Sequence, residues 1–156
     1  MSDVTEGAKA PHFELAGPDG PIRLADFQGR TLVLYFYPKD DTSGCTKEAQ
    51  DFTAAAAEFA QAGAAVLGVS KDSVASHGKF IAKYDLAVPL GSDPEGQVVE
   101  RYGSWVEKSM YGRKYMGIDR STFLIDKDGV VRRVWRKVKV PGHAQEVLKA
   151  AQALQG

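Results

Sequence analysis

The chain has 156 residues, of which 44% are hydrophobic and 26% are charged, as expected of one globular domain. Its 20 basic residues balance its 20 acidic ones, which argues against a surface that gathers nucleic acid or an anionic membrane. The only cysteine, Cys45, excludes an internal disulfide and a zinc site built from clustered thiolates. We therefore predict a single domain over residues 1–156 that has neither nucleic acid nor a membrane as a partner.

The three histidines, His12, His77 and His143, lie far apart in the sequence and lack the spacing of metal ligands. We therefore expect no metal and no other cofactor. Residues 1–6 contain neither a basic stretch nor an apolar one, and no apolar run approaches the ~20 residues of a membrane helix. These observations predict neither a secretory signal nor a membrane span, and the expected location is the cytoplasm.

Two short extended pieces lie near the start of the chain, around residues 13–15 and 22–24. The turn-forming residues between them predict an N-terminal hairpin. Residues 31–37 are nearly continuous apolar sequence rich in β-formers, which predicts a strand covered on both faces. Pro38 ends this first buried strand.

The first helix is predicted over residues 44–62, where apolar residues recur at spacings of three and four. Gly63 ends this helix, and residues 64–69 have the composition of a second buried strand. Residues 70–73 offer helix caps. They precede a second helix whose predicted apolar face carries Val74, His77, Phe80, Ile81 and Tyr84.

A short helix is predicted over residues 95–102, and a third strand at Ser121–Ile125. The turn signal Asp-Lys-Asp-Gly at 126–129 then leads into a fourth strand at 130–140. We interpret the basic residues of this region as a solvated face: Arg132, Arg133, Arg136, Lys137 and Lys139. The apolar stripe of a last helix follows, with Ala144, Val147, Leu148, Ala151 and Leu154.

The predicted order is β-α-β-α-β-β-α, with parallel crossovers first and a hairpin later. This order is typical of the thioredoxin-like arrangement. The sequence therefore predicts an α/β protein with a thioredoxin-like fold, in which helices flank a central mixed β-sheet and an N-terminal hairpin precedes it.

Cys45 lies directly after the first buried strand, in the first turn of the predicted helix. Unpaired backbone N–H groups and the positive end of the helix dipole favour a thiolate at this position. The thiolate is the nucleophilic form of cysteine. On the alternative interpretation, Cys45 is a small buried hydrophobic residue on the same helical stripe as Ala49, Phe52 and Phe59.

Pro38, Thr42 and Cys45 form the pattern Pro-x-x-x-Thr-x-x-Cys, which resembles the signature of the peroxiredoxins. The longer string at 35–49 is similar to the bacterioferritin-comigratory, or Q-type, branch of that family. The resemblance covers nearly the whole chain, and its further blocks lie at residues 68–74, 90–94, 111–126, 135–140 and 142–143.

The resemblance implies a role for each of five residues. Cys45 corresponds to the peroxidatic cysteine, and Thr42 to the threonine whose hydroxyl binds the peroxide. Pro38 matches the proline that shields the site from water. Arg120 corresponds to the arginine that stabilises the thiolate and the peroxide, and Glu48 to the glutamate that orients such an arginine.

The chemistry is consistent with these roles. Displacement at a peroxide oxygen needs a thiolate, and it needs donors where charge develops on the departing oxygen. Arg120 donates while it stays charged. Without the resemblance, Arg120 would be a surface partner of Asp119, and Glu48 a solvated helix residue. Thr42 would cap the helix by accepting a hydrogen bond from a backbone N–H, and Pro38 would only end a strand.

The chain departs from the Q-type pattern in its lack of a resolving cysteine. Many members carry that cysteine five positions after the first, where this chain has Gln50. Others carry it after the phenylalanine of a His-x-x-Phe segment in the next helix, where this chain has Ile81. Ser43 also replaces a proline usual in this branch, which should loosen the start of the helix slightly. We expect a one-cysteine peroxidase, unless a resolving residue was removed by mutation.

The implied partners are a hydroperoxide substrate and an external thiol reductant, either thioredoxin or glutaredoxin with glutathione. The branch favours a monomer or a weak dimer. A thiol–disulfide oxidoreductase of the same fold would need a second cysteine in the segment 45–48. The alternative function is a redox-sensing or chaperone-like protein of thioredoxin fold without significant peroxidase turnover.

Overall fold

The computed structural model describes residues 4–155, so the first three residues and Gly156 of the predicted domain lie outside the described part. The strands are β1 (Glu14–Leu15), β2 (Ile22–Arg23), β3 (Thr31–Phe36), β4 (Ala64–Ser70), β5 (Leu90–Ser92), β6 (Trp105–Met110), β7 (Arg113–Ile118), β8 (Ser121–Ile125) and β9 (Val131–Trp135). The helices are α1 (Ser43–Ala54), α2 (Ala56–Gln61), α3 (Val74–Tyr84), α4 (Gln97–Arg101) and α5 (His143–Leu154). A short 3₁₀ turn follows β2 at Leu24–Phe27.

A mixed sheet with the strand order β5-β4-β3-β8-β9 forms the centre of the fold. β3 pairs in parallel with β4 and antiparallel with β8, and in the second pairing Phe36 lies opposite Ser121. The end of β3 therefore meets the start of β8. The predicted α/β fold, its central mixed sheet and its N-terminal hairpin of β1 and β2 are confirmed.

Strand β3 is buried on both faces, as its continuous apolar sequence predicted. Val33 and Tyr35 face a core that α1, α2, α3 and α5 complete. Leu32, Leu34 and Phe36 face a second core built from the N-terminal segment, α4 and β8. The alternation follows from the two-residue period of a strand. The sheet thus separates two apolar layers, and the ends of its strands remain available for a site.

Two predicted elements are shorter in the structure. The helix predicted over 44–62 is broken at Ala55, where φ is −97° and ψ is 5°. Ala55 is buried, and the rings of Phe52 and Phe59, which flank it in the sequence, pack with their centroids 5.8 Å apart. The strand predicted over 130–140 ends at Trp135, because Lys137 has a φ of +49°, outside the extended region.

Three strands had no sequence prediction. β5 is only three residues long and contains Gly91, so it offered little periodic signal. β6 and β7 pair with each other outside the central sheet, and their residues are mostly exposed or half-buried. Their connection uses positive φ angles at Tyr111 (+53°) and Gly112 (+79°), whereas the sequence signal for such a turn is usually Asn-Gly.

None of the helices within residues 4–155 has the length and the apolar character needed to cross a membrane.

The close packing of Tyr35 against β4 leads to a stability prediction at Gly68. A Cβ atom there would lie 2.7 Å from Tyr35 Cζ and 2.8 Å from Leu90 Cδ2, and both atoms belong to buried side chains. Gly68→Ala should therefore lower the free energy of unfolding by roughly 1–3 kcal/mol, the usual cost of overpacking a core. Urea unfolding followed by circular dichroism would measure it.

Gly78→Ala is the matched control, because a Cβ at this position in α3 would meet nothing within 4 Å. This variant should gain about 0.5–1 kcal/mol, since alanine is the better helix former. Equal effects of the two substitutions would contradict the packing argument.

Candidate active site

Cys45 is the third residue of α1, so the predicted place in the first turn of a helix is correct. Thr42 is the N-cap residue, and the thiol is buried, with 2% of the side chain exposed. The site forms where β3 ends, because the chain passes from the sheet into α1 through the loop at 37–42.

Arg120 reaches Cys45 from the segment between β7 and β8. Its Nη2 donates to Cys45 Sγ at 3.4 Å, although the two residues are 75 positions apart in the sequence. The antiparallel pairing of β3 and β8 explains this contact, since it brings residue 120 beside the loop that follows β3. Asp119 is not its partner: the carboxylate of Asp119 accepts a hydrogen bond from the backbone N–H of Lys137 instead.

Glu48 lies one helical turn after Cys45 and holds the other side of the guanidinium. Arg120 Nη1 donates to Glu48 Oε1 at 2.7 Å. Glu48 is only 1% exposed, so it is not a solvated helix residue. Burial raises the pKa of Glu48 to about 7, against the charge and hydrogen bonds of Arg120, which lower it. The carboxyl group therefore changes its ionisation near neutral pH.

Gly44 permits the close approach of the guanidinium, although its place in the sequence indicated only the start of a helix. A Cβ at this position would lie 3.1 Å from Arg120 Nη2. With a side chain there, the guanidinium would have to shift by a few tenths of an ångström. The sequence signal that could have identified it is a glycine directly before the reactive cysteine.

Thr42 and Pro38 lie on the loop before α1, and both are exposed. The Thr42 hydroxyl donates to the carbonyl oxygen of Lys39 at 2.9 Å, and it makes no cap hydrogen bond to the helix. Its oxygen therefore keeps lone pairs that can accept. Direct hydrogen bonds join Cys45, Arg120 and Glu48, whereas within residues 4–155 none joins Thr42 to these three groups.

Two further groups affect the electrostatics of the site. Burial raises the pKa of Tyr35 well above its ordinary value, and the neighbouring charges of Glu48 and Cys45 raise it further, so the phenol stays neutral. Burial lowers the pKa of Lys108 on β6, and Arg120 adds to this effect, while Asp119 and Cys45 oppose it. No sequence signal pointed to Lys108, because its hairpin was not predicted.

No group of three or more His, Cys, Asp or Glu side chains within residues 4–155 is arranged to hold a metal ion.

A groove of about 590 Å³ lies at the opposite end of β3, where Leu24, Phe27, Arg30 and Lys127 are among its lining residues. It contains none of the predicted site residues.

In this fold, a thioredoxin-like sheet presents one cysteine in the first turn of a helix, and an arginine donates a hydrogen bond to its sulfur. This arrangement defines a class of proteins that react through a thiol. The family model of the AhpC/TSA family matches residues 7–134. The putative peroxiredoxin Bcp of Coxiella burnetii is 51% identical over 93% of this chain and 97% of its own length. The peroxiredoxin Bcp of Bacillus subtilis is 49% identical over 92% of both chains.

Solved structures agree with these relatives. A cysteine-to-serine mutant of PrxQ from Xylella fastidiosa superposes with a TM-score of 0.93 at 40% identity, over 100% of both chains. The Xanthomonas campestris bacterioferritin comigratory protein, described with its alkyl peroxide reduction activity, has a TM-score of 0.87 at 47% identity over 92% of both chains. The chain belongs to the AhpC/TSA family, as a peroxiredoxin of the Bcp or Q type with a single cysteine. It is a thiol-dependent peroxidase, whose reaction requires a hydroperoxide and a thiol reductant.

The contact between Arg120 and Cys45 leads to a kinetic prediction. Arg120→Ala should slow the reaction with hydrogen peroxide by about one to three orders of magnitude, the range seen when a donor to developing charge is lost. Arg120→Lys should recover only part of the rate, because an ammonium cannot hold the sulfur and Glu48 with one planar fork. Stopped-flow measurement of the second-order rate constant would test both.

The control is Arg132→Ala, which removes an exposed arginine whose partner Asp126 lies away from Cys45. Its rate should equal that of the unchanged protein. An unchanged rate in Arg120→Ala as well would contradict the role of Arg120.

The raised pKa of Glu48 predicts a pH dependence of stability. The carboxyl group ionises freely in the unfolded chain, with an ordinary pKa of 4.5, but only near 7 in the folded protein. Its contribution to the free energy of unfolding is therefore complete below pH 4.5 and is lost as the pH rises through 7. The side chain in Glu48→Gln cannot ionise. Over the same pH range, the free energy of unfolding of this variant should therefore fall by up to about 3 kcal/mol less than that of the unchanged protein.

Urea unfolding of both proteins at a series of pH values from 4.5 to 8 would measure this difference. Glu58→Gln, which replaces an exposed glutamate of α2, should leave the decline unchanged. Parallel curves for Glu48→Gln and the unchanged protein would show that the buried carboxyl group is not the cause.

Proposed function

We propose that this peroxidase works through a one-cysteine cycle, in which Cys45 is the nucleophile and an external thiol restores it. The observation that carries the proposal is the hydrogen bond from Arg120 Nη2 to Cys45 Sγ at 3.4 Å, with Nη1 of the same guanidinium held by the buried Glu48. The cation donates a hydrogen bond to the sulfur and attracts the negative charge of the attacking thiolate. The same chain has no other sulfhydryl group.

In the first step, the Cys45 thiolate attacks one oxygen of the hydroperoxide and the O–O bond breaks. The sulfur gains an oxygen and becomes a sulfenic acid, while the departing oxygen takes up a proton and leaves as water or an alcohol. Arg120 donates hydrogen bonds to the oxygen on which negative charge develops. Glu48 orients that guanidinium, so it acts through Arg120 and not on the substrate.

Thr42 accepts the hydrogen of the incoming hydroperoxide. Its own hydroxyl proton is directed to the carbonyl oxygen of Lys39 at 2.9 Å, which leaves the oxygen as an acceptor. Pro38, exposed on the same loop, limits the access of water to the thiolate. Holding the hydroperoxide between this acceptor and the guanidinium aligns the O–O bond with the sulfur.

The second half of the cycle needs reductant from outside the chain. Gln50 is exposed and Ile81 is half-buried, and neither supplies a sulfur. An external thiolate attacks the sulfenic sulfur and releases water, which leaves a mixed disulfide. A second thiol then frees Cys45 and completes an external disulfide. Thioredoxin, or glutaredoxin with glutathione, provides thiols of the required kind.

The proposed substrates are hydrogen peroxide and organic hydroperoxides. The Xanthomonas campestris relative is described by its alkyl peroxide reduction activity, and this supports the organic class. We further propose one domain over the whole chain, a monomer or weak dimer, and a cytoplasmic location. The cytosol keeps the reducing thiols that the cycle consumes.

Mass spectrometry after one equivalent of hydrogen peroxide tests the cycle. The protein should gain one oxygen at Cys45 and should form no internal disulfide, since a second sulfur is absent. Turnover should stop unless thioredoxin or glutathione with glutaredoxin is added, and excess peroxide should drive Cys45 to a sulfinic acid that thiols do not reduce. Repeated peroxide reduction without any added reductant would contradict the proposal.

Gln50→Cys provides a gain-of-function test of the missing resolving residue. This variant should resist inactivation by excess peroxide, provided that α1 opens enough for the two sulfurs to meet. Gln61→Cys is the matched control, because it places the same thiol at the end of α2, where the chain enters the opposite end of the sheet. Equal protection by both variants would show that an added thiol protects Cys45 whatever its position, and that position 50 is not a resolving position.

A further inference from the structure

A buried polar network joins the loop before α1 to helix α3. Asp40, 8% exposed, lies between Pro38 and Thr42 on that loop. Its carboxylate accepts hydrogen bonds from Tyr37 Oη at 2.5 Å and from Ser76 Oγ at 2.8 Å. Its Oδ2 also lies 2.7 Å from Nδ1 of His77, which is 3% exposed.

The hydrogen bonds of His77 and Asp40 show how these two side chains meet. His77 Nε2 lies 3.0 Å from the carbonyl oxygen of Gly91, which can only accept, so Nε2 carries a proton. Burial raises the pKa of Asp40, but hydrogen bonds from His77, Tyr37 and Ser76 outweigh it and lower the pKa. The carboxylate of Asp40 therefore lies against Nδ1, and the His77 ring bridges the loop before α1 to Gly91 of β5.

The loop is held by further bonds besides the contact between Asp40 and His77. The backbone N–H of Asp40 donates to Asp72 Oδ2 at 2.8 Å, which attaches the loop to the end of β4. The next residue, Asp41, has a φ of +59°, a conformation that a non-glycine residue adopts at some cost. Asp41 also accepts from Lys83 and Tyr84 at the far end of α3. Thr42 follows immediately, so its position depends on these attachments.

We propose that Asp40 and His77 are positioning residues of the peroxidase, which hold Thr42 at the place where its oxygen meets the hydroperoxide. Among the described residues, no hydrogen bond joins their side chains to the sulfur or to Arg120, and they act only through the loop. The inference rests on the role given to Thr42 under the proposed function. A displacement of about 1 Å at a reacting geometry can cost roughly 100-fold in rate, so a modest loop shift has a measurable effect.

A double-mutant cycle tests whether Asp40 acts through Thr42. Asp40→Asn should slow the reaction with hydrogen peroxide roughly 10- to 100-fold, and Thr42→Val should slow it at least as much. The double variant should be no slower than Thr42→Val alone, because the misplaced group is already absent. If the rate of the double variant falls by the product of the two single effects, the proposal is overturned.

His77 offers a matched pair of substitutions. In His77→Asn the side-chain amide stands near the place of Nδ1 and can still donate to Asp40, whereas in His77→Gln it reaches toward Gly91. The asparagine variant should retain several-fold more activity than the glutamine variant. Lys79→Gln, an exposed change on the same helix, should have less than a twofold effect. Equal rates for the two His77 variants would contradict a role through Asp40.

Circular dichroism and urea unfolding would show that each variant is folded at the assay temperature. If the Asp40 and His77 variants do not fold, Ser76→Ala removes one donor to the same carboxylate without leaving a charge unpaired. It should slow the reaction several-fold and show the same lack of additivity with Thr42→Val; an unchanged rate would overturn the proposal. If Thr42→Val itself reacts at the full rate, that result contradicts the role of Thr42 in the proposed function, and the positioning role of Asp40 and His77 falls with it.

Discussion

One guanidinium group shared between a thiol and a carboxyl group sets the requirements for the rest of this structure. Arg120 donates to Cys45 Sγ at 3.4 Å and to Glu48 Oε1 at 2.7 Å, and both acceptors are almost completely buried. A single cation thus stands beside two groups that can each become an anion. Because one side chain makes both contacts, a shift of Arg120 disturbs the thiol and the carboxyl group at once.

The surrounding fold is organised to keep this arrangement in place. The antiparallel pairing of β3 with β8 brings Arg120 to the end of β3, and Gly44 leaves room for the guanidinium beside α1. Tyr35 packs against Phe52 with 4.7 Å between ring centroids, so an aromatic layer lies beneath the site. The buried Tyr35 hydroxyl and Glu48 Oε2 have no hydrogen-bond partner within residues 4–155. Low polarity around the charged groups strengthens their mutual attraction.

The sequence was most informative where local patterns decide the structure. The continuous apolar run of β3 and the spacing along α3 predicted buried elements with nearly correct bounds. The break between α1 and α2 was missed because it falls in the run of four alanines at 54–57, which contains no helix-breaking residue. The β6–β7 hairpin was missed because it pairs only with itself and buries little. Tertiary packing and not local propensity determines such features.

The site shows the same contrast between features that local sequence patterns determine and features that tertiary contacts determine. Cys45 at a helix N-terminus follows from the strand and helix pattern, and the roles of Thr42, Arg120, Pro38 and Glu48 entered only through the family resemblance. No pattern predicted that Gly44 lies against Arg120, since that contact joins residues far apart in the sequence. His77 was assigned to the apolar face of a helix, and its burial is correct. Its partner Asp40 could not be identified, because a loop residue and a helix residue 37 positions apart share no periodicity.

The attachment of α3 to the active-site loop has a consequence for the local motions of the protein. Position 81 is an isoleucine packed against the core, and both ends of α3 are bonded to the loop through Asp40 and Asp41. Nothing in the cycle of this chain requires the helix to open. The backbone amides of α3 should therefore exchange their hydrogens only in the slow, cooperative opening that they share with the central sheet.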